Sequence, residues 1–184
     1  FGLQQNKKYQ ALKTEYDANG NETKYEEYDV DGVFEYGTLY EYDEDGDLTL
    51  ETFIEDDGSK VIRTYDKNGN ETKVESYDGN GELLNFTLSE YDENGNETKT
   101  QYYTGEHLMY EYIYEYDVEG NCIKEVFSYG DGTKSIYEYN ANGNKTKEAY
   151  YYADGSLDYS YSYEYDEAEN RIKEVYIDET GRKS

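Results

Sequence analysis

The sequence predicts an all-β fold built from tandem β-hairpins, and three observations support this prediction. Tyrosine alternates with other residues in segments such as YEYIYEY at 110–116, and a period of two is typical of strands rather than helices. A turn motif recurs every 23–26 residues along the chain. Proline is absent from all 184 residues, which suits strands that are paired on both edges, because proline cannot donate a ladder hydrogen bond.

The recurring motif reads Tyr-Asp-x-x-Gly-Asn, and we call it the Asp-Gly-Asn turn. Its seven copies are YDANGN at Tyr16, YDEDGD at Tyr42, YDKNGN at Tyr65, YDENGN at Tyr91, YDVEGN at Tyr116, YNANGN at Tyr139 and YDEAEN at Tyr165. An aspartate side chain accepts hydrogen bonds from nearby backbone amides, and glycine adopts the positive φ that other residues resist. The motif therefore predicts a type I turn closed by a glycine bulge. In the last copy Glu169 replaces the glycine.

A second and looser type of turn, which we call the alternate turn, lies between these copies. Its glycines are Gly32, Gly58, Gly81, Gly105, Gly132, Gly155 and Gly181. The segments between turns are roughly 7–10 residues long, which is a normal strand length. Equivalent glycines also recur after 74 or 75 residues, as Gly46 and Gly120 do. We therefore predict seven two-strand units, with a super-repeat of three units, in an elongated, twisted or coiled antiparallel sheet. The array covers residues 15–184, after an N-terminal lead-in at 1–14.

The composition indicates how such a sheet gains stability without many aliphatic residues. The chain has 27 tyrosines, with 44 acidic and 17 basic residues that give a net charge of -27. A buried aromatic ring removes about 150–250 Å² from water, and each cross-strand pair contributes roughly 0.2–1 kcal/mol. We expect tyrosine ladders on one face and Glu, Lys, Thr and Ser on the other. The negative charge disfavours nucleic acid and anionic membranes as partners, and no apolar run is long enough to insert into a bilayer.

The segments YEYDEDGDLT at Tyr40 and YEYDVEGNCI at Tyr114 resemble the YD repeat, also called the RHS repeat, whose pattern is Tyr-x-Tyr-Asp-x-x-Gly-Arg-Leu/Ile. The resemblance extends from about Glu15 onward. It implies strands of a long spiralling sheet and a secreted or surface setting, since the family includes toxin shells and adhesion receptors. The family's arginine is replaced here by Asn or Asp, at Asn21, Asp47, Asn70, Asn96, Asn121 and Asn144. The family's proline-containing segment that ends the shell is absent, and seven units are too few to enclose a cargo. The alternate turn YYADGSLDYSY at Tyr151 is also similar to MORN-type repeats of antitoxin-like proteins.

Two kinds of binding chemistry were considered for the acidic turns. Asp43, Asp45 and Asp47 have the i, i+2, i+4 spacing of a calcium loop, and Asp29 and Asp31 form a weaker version. An EF-hand needs glycine at its sixth position, whereas Gly46 is fourth. Ordinary turn hydrogen bonding is the favoured interpretation, and we expect no cofactor and at most weak, collective calcium binding. Five N-x-Ser/Thr sequons occur at Asn21, Asn70, Asn85, Asn96 and Asn144, and four of them arise from the repeated turn itself.

Catalytic residues are not indicated. His107 and Cys122 are the only histidine and the only cysteine, and together they supply neither a nucleophilic triad nor a zinc site. We therefore assign no catalytic, cofactor-binding or metal residues and predict that the chain is not an enzyme.

Two functional hypotheses remain. The first is a structural repeat segment of a secreted or cell-surface protein, such as a stalk, fibre or adhesin scaffold, with head-to-tail self-assembly as an open version of it. The alternative is an acidic, tyrosine-rich binding module for a basic protein partner, similar to antitoxin or immunity proteins. The expected partners are therefore other copies of the chain or another protein.

Overall fold

A computed structural model describes residues 11–184, and this part of the chain is all-β. Within these residues no helix is long and apolar enough to cross a membrane. The strands are β1 (Ala11–Tyr16), β2 (Glu22–Tyr28), β3 (Phe34–Tyr42), β4 (Leu48–Glu55), β5 (Lys60–Tyr65), β6 (Glu71–Tyr77), β7 (Leu83–Tyr91), β8 (Glu97–Thr104), β9 (His107–Tyr116), β10 (Cys122–Tyr129), β11 (Lys134–Tyr139), β12 (Lys145–Tyr151), β13 (Leu157–Tyr165) and β14 (Arg171–Asp178). These are the fourteen strands of seven hairpins, so the predicted fold class is confirmed.

The chain divides into two compact units, one ending at Phe86 and the other covering 87–184, and β7 crosses this boundary. In the first unit, β1 to β6 pair antiparallel in chain order. In the second unit, β8 to β14 do the same. The strand lengths 8, 6, 7, 9 and 8 of β4–β8 recur in β10–β14, so the three-hairpin super-repeat appears in the structure. Strand β1 begins inside the predicted lead-in 1–14, and residues 1–10 of that lead-in lie outside the described residues.

The turns follow one hydrogen-bonding scheme. In the first Asp-Gly-Asn turn the Gly20 amide donates to the Asp17 carbonyl at 3.2 Å, and the Asp17 amide donates to the Asn21 carbonyl at 2.9 Å. The Asp17 carboxylate also accepts from the backbone amides of Asn19 and Asn21. Gly20 has φ +93°, and the strand register shifts beside Tyr16. This geometry is the predicted tight turn with a glycine bulge, and its two backbone bonds recur at every Asp-Gly-Asn turn and at all alternate turns except the two-residue turn at Gly105.

Glu169 occupies the glycine position of the last Asp-Gly-Asn turn at φ 62°, and it is the one non-glycine residue between 11 and 184 with positive φ. A side chain in this conformation costs roughly 1–2 kcal/mol. We therefore expect Glu169→Gly to raise the free energy of unfolding by about 1 kcal/mol in urea denaturation. The matched control is Gly120→Glu, which should lower it by a similar amount. Equal stabilities of Glu169→Gly and the wild type would contradict the strain assigned to this turn.

One turn departs from the scheme because Asn140 stands where most copies have aspartate. Elsewhere the asparagine after glycine donates its side-chain amide to the aspartate, as Asn70 does to Asp66 at 3.0 Å. Asn140 accepts only from the backbone amides of Asn142 and Asn144. The Asn144 Nδ2 atom is buried without a hydrogen-bond partner.

We predict that Asn140→Asp stabilises the fold by about 1 kcal/mol, since it supplies the missing acceptor to a buried donor. Denaturation at pH 7 would measure the gain. Asp66→Asn is the reverse change in an equivalent turn and should cost about as much. A destabilised Asn140→Asp variant would show that the Asn144 amide does not limit this turn.

The described residues have almost no conventional core. Ala149, at 1% exposure, is the only hydrophobic residue among them that is fully buried. It lies on β12, opposite Ile136 on β11 and Ser160 on β13. Most other strand residues keep part of their surface in water. The sheet must therefore be stabilised by its turns and by contacts within each of its two faces.

One face of the second unit, which we call the lysine face, carries cross-strand ion pairs. Lys147 on β12 lies opposite Glu138 on β11, and their charged atoms are 2.9 Å apart. The same pairing recurs in Lys99–Glu90, Lys124–Glu115 and Lys173–Glu164. Exposed pairs of this kind contribute only about 0–1 kcal/mol each. They nevertheless favour a single register, because a one-residue slip would move the charges to the opposite face.

Candidate binding face

The opposite face of the second unit, which we call the tyrosine face, is built by period-two alternation along its strands. On β9 it contains Tyr110, Tyr112, Tyr114 and Tyr116. Neighbouring strands add Phe127, Tyr137, Tyr150, Tyr159, Tyr161, Tyr163 and Tyr176, which register or ring contacts place on the same side. The strand-alternating tyrosines predicted from sequence therefore share one face.

The rings of this face contact one another within and between strands. The Tyr150 and Tyr159 rings stack with centroids 4.4 Å apart, and the Tyr102 and Tyr110 rings stack at 5.0 Å. Phe127 lies among Tyr110, Tyr112 and Tyr129, with centroid separations of 6.1, 4.7 and 4.6 Å. Aromatic contacts of this kind contribute roughly 0.5–1.5 kcal/mol each beyond the area they bury. They supply apolar packing that the aliphatic residues do not.

Glutamates occupy one repeated position among the aromatic side chains. The fourth residue of β4, β10, β12 and β14 is Glu51, Glu125, Glu148 and Glu174. Register places Glu51 opposite Tyr40 and Arg63, and Glu125 opposite Tyr114 and Tyr137. Within each unit, a carboxylate at this position is therefore bordered by aromatic or basic side chains of the adjoining strands.

Three of these four glutamates have a cation supplied by the chain itself. Arg63 lies 3.6 Å from Glu51, Lys145 lies 2.7 Å from Glu148, and Arg171 lies 3.1 Å from Glu174. Two of the cations also lie over rings, Lys145 over Tyr137 at 4.5 Å and Arg171 over Tyr163 at 5.2 Å. Glu125 has no ion pair with any residue from 11 to 184, and its partner there is the Tyr139 hydroxyl at 3.4 Å. Glu125 is thus the exception in an otherwise charge-compensated position.

A groove of about 520 Å³ opens beside Glu125 in the second unit. It is lined by Tyr114, Tyr116, Cys122, Glu125, Tyr139 and Asn142. One wall is held in place by Tyr116, whose hydroxyl donates to the Glu97 carbonyl at 2.7 Å. The groove therefore combines one carboxylate with aromatic walls.

The protonation states of this groove follow from burial. Burial, together with the nearby Glu125 carboxylate, raises the pKa of Tyr114 and of Tyr139 to about 12. Burial also raises the pKa of the Cys122 thiol. Both phenols and the thiol are consequently neutral at pH 7. The groove then carries the negative charge of Glu125 with no positive charge among its lining residues.

The first unit contains a different carboxylate cluster around Glu27, the only charged side chain among the described residues that is fully buried, at 8% exposure. Its carboxylate accepts from the hydroxyl of Tyr25. Hydrogen bonds from Tyr25 and Tyr36 lower the pKa of Glu27 below its usual value. The same contact, together with burial, raises the pKa of Tyr36. This cluster therefore holds an ionised carboxylate between two neutral phenols.

The residues weighed from sequence for calcium binding take part in ordinary turn bonding. The Asp43 carboxylate accepts from the backbone amides of Asp45 and Asp47, at 2.9 and 3.0 Å. Asp29 accepts in the same way from Asp31. Across residues 11–184 no cluster of three or more His, Cys, Asp or Glu side chains is arranged to hold a metal ion. Weak calcium binding thus remains an expectation from charge alone.

His107 and Cys122 lie at the beginnings of different strands, His107 on β9 and Cys122 on β10. His107 is exposed beside the Gly105 turn, whereas Cys122 is partly buried and its thiol donates to the Lys124 carbonyl at 3.4 Å. Each residue therefore has a local role in its own turn or strand.

The sequons of the Asp-Gly-Asn turns have their asparagine amides engaged or buried. Asn21, Asn70 and Asn96 donate Nδ2 to the aspartates of their own turns at 2.9–3.0 Å. The threonines at 72 and 98 donate their hydroxyls to backbone carbonyls across the hairpin. In the folded chain these sequons therefore serve the turn and strand structure.

Comparisons with known proteins leave family and function open. No family model matches the sequence, and no curated protein matches it. Among solved structures, the chain is similar to TcdB2-TccC3-Cdc42, with a TM-score of 0.40, 14% identity, and coverage of 91% of this chain and 11% of the other. A porin-like protein from Bacteroides uniformis ATCC 8492 gives a TM-score of 0.39 at 10% identity, over 94% and 86% of the two chains.

These similarities are too low for any argument about family or activity. The chain also spans only about 11% of the length of the first of these structures. The likeness to YD-type repeats therefore remains a resemblance carried by the sequence motifs.

The Glu125 groove is the feature that sequence analysis missed. The signal was present, since an alignment of the repeats shows Cys122 where β12 has Lys145 and β14 has Arg171. It also shows Tyr137 where the earlier super-repeat has Arg63. A search for repeated residues passes over such positions, because the informative feature is a missing repeat.

Proposed function

We propose that this chain is a non-enzymatic structural repeat segment of a secreted or cell-surface protein, acting as a stalk, fibre or adhesin scaffold. The observation that supports it is the uniform turn, whose two backbone hydrogen bonds recur from Asp17 to Arg182. A repeat array gains stability from nearest-neighbour contacts and distributes its side chains evenly. Aspartate, asparagine and glycine at these turns are accounted for by structural bonds, which suits a scaffold.

Head-to-tail self-assembly is a finer version of this proposal. An edge strand presents unpaired backbone groups that invite pairing with another chain. On β14, Tyr176 and Ser184 exchange two backbone hydrogen bonds of 3.1 Å, which occupies part of the outer edge. The remaining part of that edge, near Arg171, is the surface that a second copy would use.

Sedimentation of residues 1–184 over a range of concentrations and salt tests self-assembly. Self-assembly predicts a mass that exceeds 21.6 kDa and rises with concentration. A mass that stays at 21.6 kDa under all conditions would contradict self-assembly. Repeating the series with millimolar calcium would also test whether divalent ions, by screening the acidic surface, promote association.

A second candidate function is an acidic binding module for a basic protein, and the Glu125 groove favours it. Tyrosine is enriched at protein interfaces, and this groove joins three tyrosines to a carboxylate without a cation. A basic partner protein should be captured at low salt and released as salt rises, because exposed charges are screened. Capture that is insensitive to salt would contradict this candidate.

A further inference from the structure

We propose that the groove around Glu125, Tyr114 and Tyr139 binds the arginine side chain of a basic partner protein, an inference that rests on the second candidate function. The guanidinium would pair with the Glu125 carboxylate and lie against the two phenol rings. The other tyrosine-face glutamates of this repeated position already have such a partner within the chain, so the structure itself provides examples of the interaction.

The equivalent position in the first unit shows the interaction with arginine. Arg63 lies opposite Glu51 in register, and its Nη1 atom is 3.6 Å from the carboxylate. The Tyr65 hydroxyl donates to the same carboxylate at 3.1 Å. In the second unit Glu125 and Tyr139 reproduce Glu51 and Tyr65, but the residue opposite Glu125 is Tyr137. The carboxylate and phenol are thus retained while the guanidinium is absent.

The two later copies supply their cation by a different route, and Glu125 lacks that one as well. Glu148 and Glu174 each pair with a basic residue three positions earlier, Lys145 and Arg171. The residue three positions before Glu125 is Cys122, a neutral thiol that lines the groove. A short uncharged side chain at this point leaves room beside the carboxylate for a cation from outside.

The chemistry of the groove selects arginine among the available cations. A planar guanidinium donates in parallel to a carboxylate and also stacks on aromatic faces, and it is less strongly hydrated than an ammonium group. Cation–π contacts add about 0.5–1 kcal/mol at exposed sites and more where water is excluded. A metal ion fits less well, because the groove offers one carboxylate and its phenols and thiol are neutral at pH 7.

The test is a titration of the full chain with a short peptide that contains one arginine in a Gly/Ser sequence, followed by NMR. The matched probe is the same peptide with citrulline, which keeps the shape of arginine and removes its charge. We expect the arginine peptide to shift the Tyr114, Cys122 and Tyr139 signals, and the citrulline peptide to leave them unchanged. Glu125→Gln should weaken binding at least tenfold, the change expected for losing one well-placed charge-assisted contact worth about 1.4 kcal/mol.

Two further variants separate the site from general acidity. Cys122→Arg should abolish peptide binding, because it supplies Glu125 with the cation that Arg171 gives to Glu174. Glu148→Gln is the matched control and should bind like the wild type, since Lys145 already occupies that carboxylate. Both variants change partly exposed positions, and thermal melting verifies that they are folded.

The possible failures can be told apart. Equal binding by the wild type and Glu125→Gln, or by the arginine and citrulline peptides, would overturn the Glu125 site. If salt-sensitive capture of a basic protein persisted in that case, the binding-module function would still stand. Absence of both peptide binding and capture at low salt would overturn the site and the module together.

Discussion

Replacing Gly130 by alanine should lower the free energy of unfolding by about 3 kcal/mol, the upper part of the range for forced overpacking. Gly130 follows β10, and its amide donates to the Met109 carbonyl on β9 at 2.9 Å. A Cβ atom at this position would lie 1.9 Å from the Leu108 carbonyl oxygen. Since the obstacle is backbone, the pairing of β9 with β10 would have to shift. For a chain of this size the loss corresponds to a fall in Tm of roughly 6–12 °C.

Gly155→Ala is the control for this prediction. Gly155 has φ +83°, and no atom lies within 4 Å of the Cβ that alanine would add. Its cost should be limited to the strain of the backbone conformation, roughly 1–2 kcal/mol. If Gly130→Ala proved no more destabilising than Gly155→Ala, the close approach of the two strands at this point would be wrong.

Truncating Phe127 to alanine should cost about 2–3 kcal/mol, somewhat less than the value for a fully buried phenylalanine. Its ring contacts Tyr110, Tyr112 and Tyr129. The mutation removes these three aromatic contacts together with the apolar area that they cover. Chemical denaturation, with tyrosine near-UV circular dichroism as a probe of the tyrosine face, would measure the loss.

Phe127→Leu separates aromatic contacts from apolar volume. Leucine keeps much of the buried area but cannot stack, so its cost should lie between those of the wild type and Phe127→Ala. A negligible effect of Phe127→Ala would contradict the account in which aromatic rings substitute for a conventional core.

The parts of the fold that could be predicted from sequence are those with local causes. Asp17, Gly20 and Asn21 specify their turn through hydrogen bonds that span four residues, and the pattern predicted that turn correctly. Tyrosine alternation predicted the strands and their common face, because side-chain direction in a strand has a period of two.

Features that depend on cross-strand register were not predictable in the same way. The Lys147–Glu138 pair and the neighbours of Glu125 depend on which residues face each other across strands. A register shift of one residue reverses the face of every side chain, so composition alone does not identify these contacts. The two compact units likewise follow from the distribution of contacts, whereas the sequence repeat runs through both.

The role of the tyrosines now has a physical explanation. In the second unit, ring contacts at 4.4–6.5 Å provide apolar packing on one face, while ion pairs line the lysine face. Tyrosine suits a thin sheet because its ring is buried while its hydroxyl reaches water or a polar partner. The same property leaves the tyrosine face available for recognition, as proposed for Glu125.

The central claim, a structural repeat segment displayed outside the cell, is tested most directly by labelling. Antibodies against residues 1–184 would be applied to intact cells of the producing organism, with permeabilised cells as the control for total protein. We predict that intact cells or their medium contain nearly all of the signal and that added protease removes it. Signal that appears only after permeabilisation, together with a cytoplasmic marker, would contradict the claim.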